Sequence, residues 1–162
     1  MSSETFVELC LLDRSIHIER PCAPAIAEPG DEILVDANAH IYYYEAGAPA
    51  ALAGVMCRCL PGVRGVFTVA DVEAVLRPAD QHFAFTKLVC PENTHNRGRV
   101  PRARLRNAAV ATGIPERDYA AHFDSVSVCF SKGLGTPAGS ALCGTREFIQ
   151  RAGGFARCTA AA

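Results

Sequence analysis

The sequence predicts an α/β fold in which a mostly parallel sheet is flanked by helices. Short apolar runs of strand length alternate with helix-like segments along the chain, and polar or glycine-rich loops follow several of these runs. The length of 162 residues, with 49% apolar and 20% charged residues, suits one globular domain with its own core.

In the first 90 residues the pattern predicts two strands and two helices. Residues 32–36 form a short apolar run, and residues 44–56 are small, helix-compatible residues. Thr68 followed by Asp71 is a capping pattern that opens a helix through Leu76, ended by Pro78. Residues 86–90 form a second strand, with a polar loop at its carboxyl end.

The second half of the chain continues the alternation. We predict a helix at 102–111 closed by Gly113 and a short helix from Pro115 through Ala120. Strands at 125–130 and 140–143 are expected to pair across the loop between them, and a last helix, capped by Thr145, is expected to end at Gly153–Gly154.

Lys132 lies in the loop between these last two strands, directly after the apolar run 126–130 and before Gly133, Gly135 and Gly139. Desolvation in a tight backbone loop favours a neutral amine, which can form a Schiff base with an aldehyde such as pyridoxal phosphate. The plainer interpretation is a solvated lysine in a glycine-rich hairpin.

Four stretches of sequence, at 30–36, 39–48, 91–98 and 124–135, occur in an order that resembles the low-specificity threonine aldolases. These belong to the aromatic amino acid beta-eliminating lyase/threonine aldolase family of fold-type I pyridoxal-phosphate enzymes. The resemblance implies a divergent segment at 1–29, a partial pyridoxal-phosphate-transferase-like large domain at 30–157, and a tail at 158–162.

The resemblance also implies a role for each candidate residue. Lys132 would be the Schiff-base lysine, and His40 would stack on the ring of pyridoxal 5'-phosphate. His82 would act at the substrate hydroxyl, while Arg104 would bind the substrate carboxylate and Tyr44 would line the substrate pocket. The implied reaction cleaves L-threonine or L-allo-threonine, small β-hydroxy amino acids, to glycine and acetaldehyde.

Each of these residues also has a simpler structural interpretation. His40 and His82 could be ordinary loop histidines. Glu92, Asn93 and His95 could be a polar turn after a strand, although the resemblance puts this turn at the border of the cofactor site. Phe85 stands where the family often has an arginine, which indicates a less polar pocket.

Four family features are missing from the pattern. Pro101 and Arg102 stand where the family has the aspartate that pairs with the pyridinium nitrogen and the glycine after it. Between Asn93 and Arg104 the chain is shorter by about one strand and one helix, roughly 20 residues at ordinary element lengths. The Ser-Gly-Thr phosphate loop expected before Gly30 and the smaller domain expected after Arg157 are not found.

Three functions remain open. The chain could be an active lyase, a catalytically impaired truncated product or pseudoenzyme, or a protein that associates with full-length relatives. The family forms homodimers and homotetramers, so an association surface is expected. Pro101 in place of the aspartate favours an impaired protein, since the ring nitrogen needs that partner to act as an electron sink.

Composition excludes several other classes of function. A net charge of −1 argues against nucleic-acid and anionic-membrane binding, and no targeting segment is recognisable. Eight cysteines within apolar runs suit reduced thiols in the cytoplasm. We predict no metal site, because Cys57 and Cys59 with a distant His95 lack a second ligand pair, and no dinucleotide fingerprint is present.

Overall fold

The computed structural model describes residues 27–92, 95, 97–98, 109–110, 112–130, 134–137 and 139–160, with side chains up to 153. The chain divides into two compact units. One comprises residues 26–114, and the other contains residues 115–162. Strands and helices alternate, as the sequence predicts for an α/β fold.

A three-stranded parallel sheet forms the centre of the first unit. Strand β1 (Glu32–Asp36) lies between β2 (Met56–Leu60) and β3 (Thr86–Cys90), and both neighbours run parallel to it. Every residue of β1 is buried, which fits a strand flanked on both sides. The predicted strands at 32–36 and 86–90 are confirmed.

The segment between β1 and β2 differs from the prediction. It holds two short helices, α1 (His40–Tyr43) and α2 (Ala48–Ala53), instead of one helix at 44–56. The backbone is left-handed at Ala46 (φ 50°) and Gly47 (φ 76°), which separates the two helices. Gly54, also left-handed with φ 66°, ends α2 and lets the chain enter β2, a strand that the sequence analysis missed.

Helix α3 (Val69–Glu73) begins with the capping box that the sequence predicts. The Thr68 hydroxyl accepts the Asp71 N–H, and the Asp71 carboxylate accepts the Thr68 N–H, which lowers the pKa of Asp71. The helix ends earlier than predicted, at Glu73 rather than at Leu76. A hydrogen-bonded turn follows the helix, in which the Leu76 N–H donates to the Val72 carbonyl at 3.2 Å, and Pro78 disfavours helical backbone at the next residue, Arg77.

The second unit contains α4 (Glu116–Ala120), the antiparallel pair β4 (Ser125–Cys129) and β5 (Ser140–Gly144), and α5 (Arg146–Ala160). The predicted pairing of these two strands is confirmed. Helix α5 packs on β5 through a small core of Leu142, Ile149 and Ala152, with Phe148 beside it.

Glycine was predicted to end two helices in the second half of the chain, and it does so at only one of the two positions. Gly113 (φ 72°) follows a helical turn and donates its N–H to the Ala109 carbonyl at 2.8 Å, as predicted for a helix end. The rest of the helix predicted at 102–111 lies largely outside the described residues. The predicted end of the last helix at Gly153–Gly154 is wrong, because α5 continues to Ala160. Glycine inside a helix costs only about 1 kcal/mol and does not force an end.

In the part of the chain that the structure describes, no helix has the length and apolar character needed to span a membrane.

Candidate functional site at the carboxyl edge of the parallel sheet

The carboxyl ends of the parallel strands gather polar side chains from loops distant in sequence. Open α/β sheets bind ligands at this edge. Asp36 ends β1, His40 begins α1, and Glu92 and His95 follow β3. Together with Glu45 these residues form a set of linked hydrogen bonds, hereafter the carboxyl-edge network.

Asp36 and His95 are the buried centre of the carboxyl-edge network. The His95 Nε2 lies 2.9 Å from Asp36 Oδ1, and the two side chains are 7% and 2% exposed. The Gly98 backbone N–H donates to His95 Nδ1 at 2.9 Å. Because Nδ1 accepts this bond, the ring hydrogen is on Nε2, and the ring donates it to the carboxylate. His95 therefore joins the loop after β3 to the end of β1.

Glu92 connects this buried pair to His40. Its Oε2 accepts the backbone N–H of His40 at 2.9 Å and lies 3.7 Å from His95 Nε2. The carboxylate thereby ties the loop after β3 to the first residue of α1, which is 52 residues away in sequence.

The imidazole of His40 is held by a second carboxylate. His40 Nε2 lies 2.8 Å from Glu45 Oε1, and the His40 side chain keeps 33% of its surface exposed. The Tyr44 ring lies beside it, with centroids 5.4 Å apart and planes at 31°. A partly exposed imidazole held in a fixed orientation beside an aromatic ring can receive a flat ligand.

Glycines make room for the network. A Cβ on Gly62 would clash with Asp36 Oδ2, and one on Gly65 would clash with the His95 ring. Gly98 is close-packed against the Arg64 carbonyl, so a Cβ there would also clash. Asp36 Oδ2, enclosed in this way, is buried and has no hydrogen-bond partner among the described residues. The buried pair thus depends on close backbone approach at these glycines.

Gly65→Ala is expected to destabilise the protein by at least about 2 kcal/mol more than Gly47→Ala. Both residues are left-handed, with φ of 78° and 76°, so the backbone strain of alanine is similar in the two variants. Only the Gly65 Cβ meets His95; at Gly47 nothing lies within 4 Å. Urea unfolding of the two variants gives this difference directly, and equal destabilisation would contradict the described packing of His95.

Exposed tyrosines adjoin the network on α1. The side chains of Tyr42, Tyr43 and Tyr44 are each about half exposed. The Arg97 guanidinium lies 4.2 Å from the Tyr43 ring centroid, and its hydrogen bond with Tyr43 raises the pKa of Arg97. A hydrogen bond to the Cys59 thiol raises the pKa of Tyr42. Aromatic and cationic groups therefore flank the His40 end of the site.

His82 lies at the opposite edge of the same sheet. It belongs to the exposed loop before β3, where the Phe85 carbonyl accepts the Glu32 N–H at 2.8 Å. Arg77, which lies over Phe83 of this loop, is 3.3 Å from Glu32 at the start of β1. His40 follows the other end of that strand, so the structure does not bring His82 and His40 together within this sheet.

Two predicted site residues, Lys132 and Arg104, lie outside the described residues, as do Asn93 and Pro101. Their roles stay predictions. The structure does place Phe130 and Gly139 on either side of the Lys132 loop, joined by a backbone hydrogen bond of 2.8 Å. The residues at which this loop begins and ends are therefore paired, while the conformation expected around Lys132 stays a prediction.

The geometry of His95 does not support a zinc site formed with Cys57 and Cys59. Both of its ring nitrogens are engaged, by Asp36 and by the Gly98 N–H. Burial raises the pKa of the Cys57 thiol, which disfavours the thiolate that a metal needs. Within the described ranges no group of three metal-binding side chains comes together.

Sequence reasoning missed Asp36 and Glu45 as members of this site. Asp36 directly follows the apolar part of β1, and Glu45 lies five residues beyond His40. A carboxylate at the carboxyl end of a fully buried parallel strand is a signal that could have indicated Asp36, since buried charges need partners.

Solved structures of similar proteins identify the class of fold. A Leishmania major threonine aldolase superposes with a TM-score of 0.71 at 18% identity, over 91% of this chain and 52% of that one. A Listeria monocytogenes protein assigned as an L-allo-threonine aldolase gives 0.73 at 16% identity, over 94% of this chain and 48% of that one. The fold is that of the fold-type I pyridoxal-phosphate enzymes, of which this chain has part of one domain.

Sequence comparison then gives the family. The sequence model of the beta-eliminating lyase family matches residues 19–102 and 102–161, so the chain belongs to this family. The two matched segments meet at Arg102, where the sequence analysis finds one strand and one helix too few.

Several curated relatives are threonine aldolases. The chain is 37% identical to the low specificity L-threonine aldolase of Escherichia coli K12 in an alignment 147 positions long, which covers 77% of this chain and 44% of that protein. It is 36% identical to the low-specificity L-threonine aldolase of Candida albicans in an alignment 155 positions long, which covers 80% of this chain and 41% of that protein. The chain is thus threonine aldolase-like and spans less than half the length of these relatives.

Proposed function

We propose that this chain binds pyridoxal phosphate at the carboxyl edge of its parallel sheet and is a catalytically impaired form of a threonine-cleaving lyase. The observation that carries the proposal is the His40 imidazole, which is held by Glu45 at 2.8 Å, remains partly exposed and lies beside Tyr44. The threonine aldolase relatives support the choice of cofactor and of a small β-hydroxy amino acid as ligand.

The residues at this edge fit the ring of the cofactor. His40 offers an imidazole surface to a flat ring. The amine for covalent attachment is the one that the sequence resemblance assigns to Lys132. Bound pyridoxal phosphate would supply an electron sink for the bond to be cleaved. In this proposal the Arg104 guanidinium anchors the substrate carboxylate, a role that the sequence resemblance assigns to it, and Tyr44 lines the substrate pocket.

The proton on the substrate hydroxyl needs an acceptor, and His82 is the proposed group. Its position at the amino edge of the sheet means that His82 and His40 serve one bound molecule only if they come from different copies of the chain. Association with a second copy or with a full-length relative is therefore part of the proposal for His82.

A fully active lyase acting on threonine or allo-threonine is the second candidate. The 37% identity to an L-threonine aldolase favours it. Pro101 in place of the family's aspartate favours the impaired form, because a proline side chain cannot keep the ring nitrogen protonated. For either candidate we also propose a cytoplasmic location and a role in amino acid metabolism.

Reductive trapping is expected to label Lys132 and not Lys87. The chain has two lysines, and Lys87 is an exposed residue of β3, outside the four stretches that carry the family resemblance. Purified protein is incubated with pyridoxal phosphate, reduced with borohydride, digested and mapped by mass spectrometry. The variants Lys132→Arg and Lys87→Arg form the matched pair: the first should abolish labelling and the second should leave it intact. Equal labelling of both lysines would refute the proposed cofactor site.

A further inference from the structure

The first residue of α1 depends on an acceptor from outside its own segment. Helix α1 has four residues, its N-cap is Ala39, and no side chain of the segment caps it or places an acid in its first turn. The first N–H groups of a helix have no partner within the helix. Glu92 Oε2 supplies the acceptor for the His40 N–H at 2.9 Å. The loop after β3 thus holds the backbone of His40, the first residue of α1, in place.

Glu45 fixes the ring of the same residue. Its carboxylate is 14% exposed and lies 2.8 Å from His40 Nε2. A partly buried carboxylate at this distance accepts the Nε2 hydrogen, which selects one tautomer and one ring orientation. The Glu92 carboxylate therefore holds the main chain of His40, and the Glu45 carboxylate, from a different loop, holds its imidazole.

The position of Glu92 is itself supported from the core. His95 Nε2 lies 3.7 Å from Glu92 Oε2, and His95 is fixed by Asp36 and by the Gly98 N–H. These contacts join the ends of β1 and β3 to the start of α1. The orientation of His40 consequently rests on side chains at the ends of two different strands.

We propose that Glu45 and Glu92 are positioning residues that orient His40 before any ligand arrives. The inference rests on the proposed function, in which His40 meets the ring of pyridoxal phosphate. A ring held in advance avoids the loss of rotamer freedom on binding, so removing either carboxylate weakens binding although neither residue needs to touch the ligand.

The test compares Glu45→Ala with Glu45→Gln, and Glu92→Ala with Glu92→Gln. Glutamine keeps an acceptor oxygen and alanine does not, so the glutamine variants act as conservative rescues. Glu73→Ala, at an exposed residue of α3, is the control. Long-range ¹H–¹⁵N spectra of the histidine rings, with His40 assigned through a His40→Asn variant, report its tautomer without cofactor.

We expect Glu45→Ala to abolish the single-tautomer pattern of His40 and both alanine variants to raise the Kd for pyridoxal phosphate about tenfold or more. The glutamine variants and Glu73→Ala should stay within about threefold of the unmodified protein. An unchanged His40 signal in Glu45→Ala would overturn the inference. A changed signal in a protein that never binds pyridoxal phosphate would support the orienting role of Glu45 and overturn the proposed function instead.

Discussion

Replacing His95 by alanine is expected to lower the free energy of unfolding by about 3 kcal/mol. The substitution removes the ring hydrogen bond to Asp36, whose side chain is 2% exposed and whose Oδ2 has no partner among the described residues. Of the hydrogen bonds that the structure describes for this carboxylate, the one from the Asn38 N–H to Oδ1, at 2.8 Å, would then remain. Chemical denaturation followed by circular dichroism measures the loss.

The matched control for this substitution is His122→Ala. His122 is an exposed histidine in the second unit, so its replacement should change the free energy of unfolding by no more than about 0.5 kcal/mol. His95→Asn is a useful intermediate, because an amide can still donate to Asp36. If His95→Ala proves as stable as His122→Ala, the buried pair contributes nothing to the fold.

Threonine cleavage by this chain is expected to stay near the rate of pyridoxal phosphate alone. A charge placed where the reaction needs it typically contributes about 10²-fold or more to the rate, and Pro101 removes the one that pairs with the ring nitrogen. In the proposed site His40, oriented by Glu45 and Glu92, meets the face of the ring, and none of these three residues is proposed to pair with the ring nitrogen. Release of acetaldehyde from L-threonine, coupled to a reductase, measures the rate.

The control for this second experiment is the Lys132→Ala variant. If catalysis is at background, acetaldehyde release should be the same with and without Lys132, and Lys87→Ala should match both. A rate that is well above the cofactor background and disappears in Lys132→Ala would establish the fully active lyase and refute the impaired form.

The strands could be predicted because their signals are local. Glu32–Asp36 and Thr86–Cys90 are short apolar runs, and the pair Ser125–Cys129 and Ser140–Gly144 flanks a glycine-rich loop. Strand Met56–Leu60 could not be predicted in this way, because Arg58 interrupts its apolar pattern. In the folded chain that arginine lies 3.8 Å from the buried Glu32, a tertiary contact with no local signal.

The position of part of the candidate site was predictable. His40 and Tyr44 were singled out through their sequence context, and the structure places them side by side at the carboxyl edge, while their roles stay predictions. Asp36 and Glu45 were missed because their importance comes from partners that only the folded chain supplies. The roles of Lys132 and Arg104 still rest on the resemblance to the threonine aldolases.

The sequence distances within the carboxyl-edge network have a consequence for synthesis on the ribosome. Asp36 and His95 are 59 residues apart, and His40 and Glu92 are 52 residues apart. Parallel pairing of β1 with β3 spans a similar distance, so the entropic cost of closing these loops comes before most of the stabilising contacts. During synthesis the contacts of β1 and α1 with His95 and Gly98 cannot form until those residues have been added. At about 5–20 residues per second this takes several seconds. During that interval the buried carboxylate of Asp36 remains in water, and the nascent chain presents an incomplete sheet to chaperones.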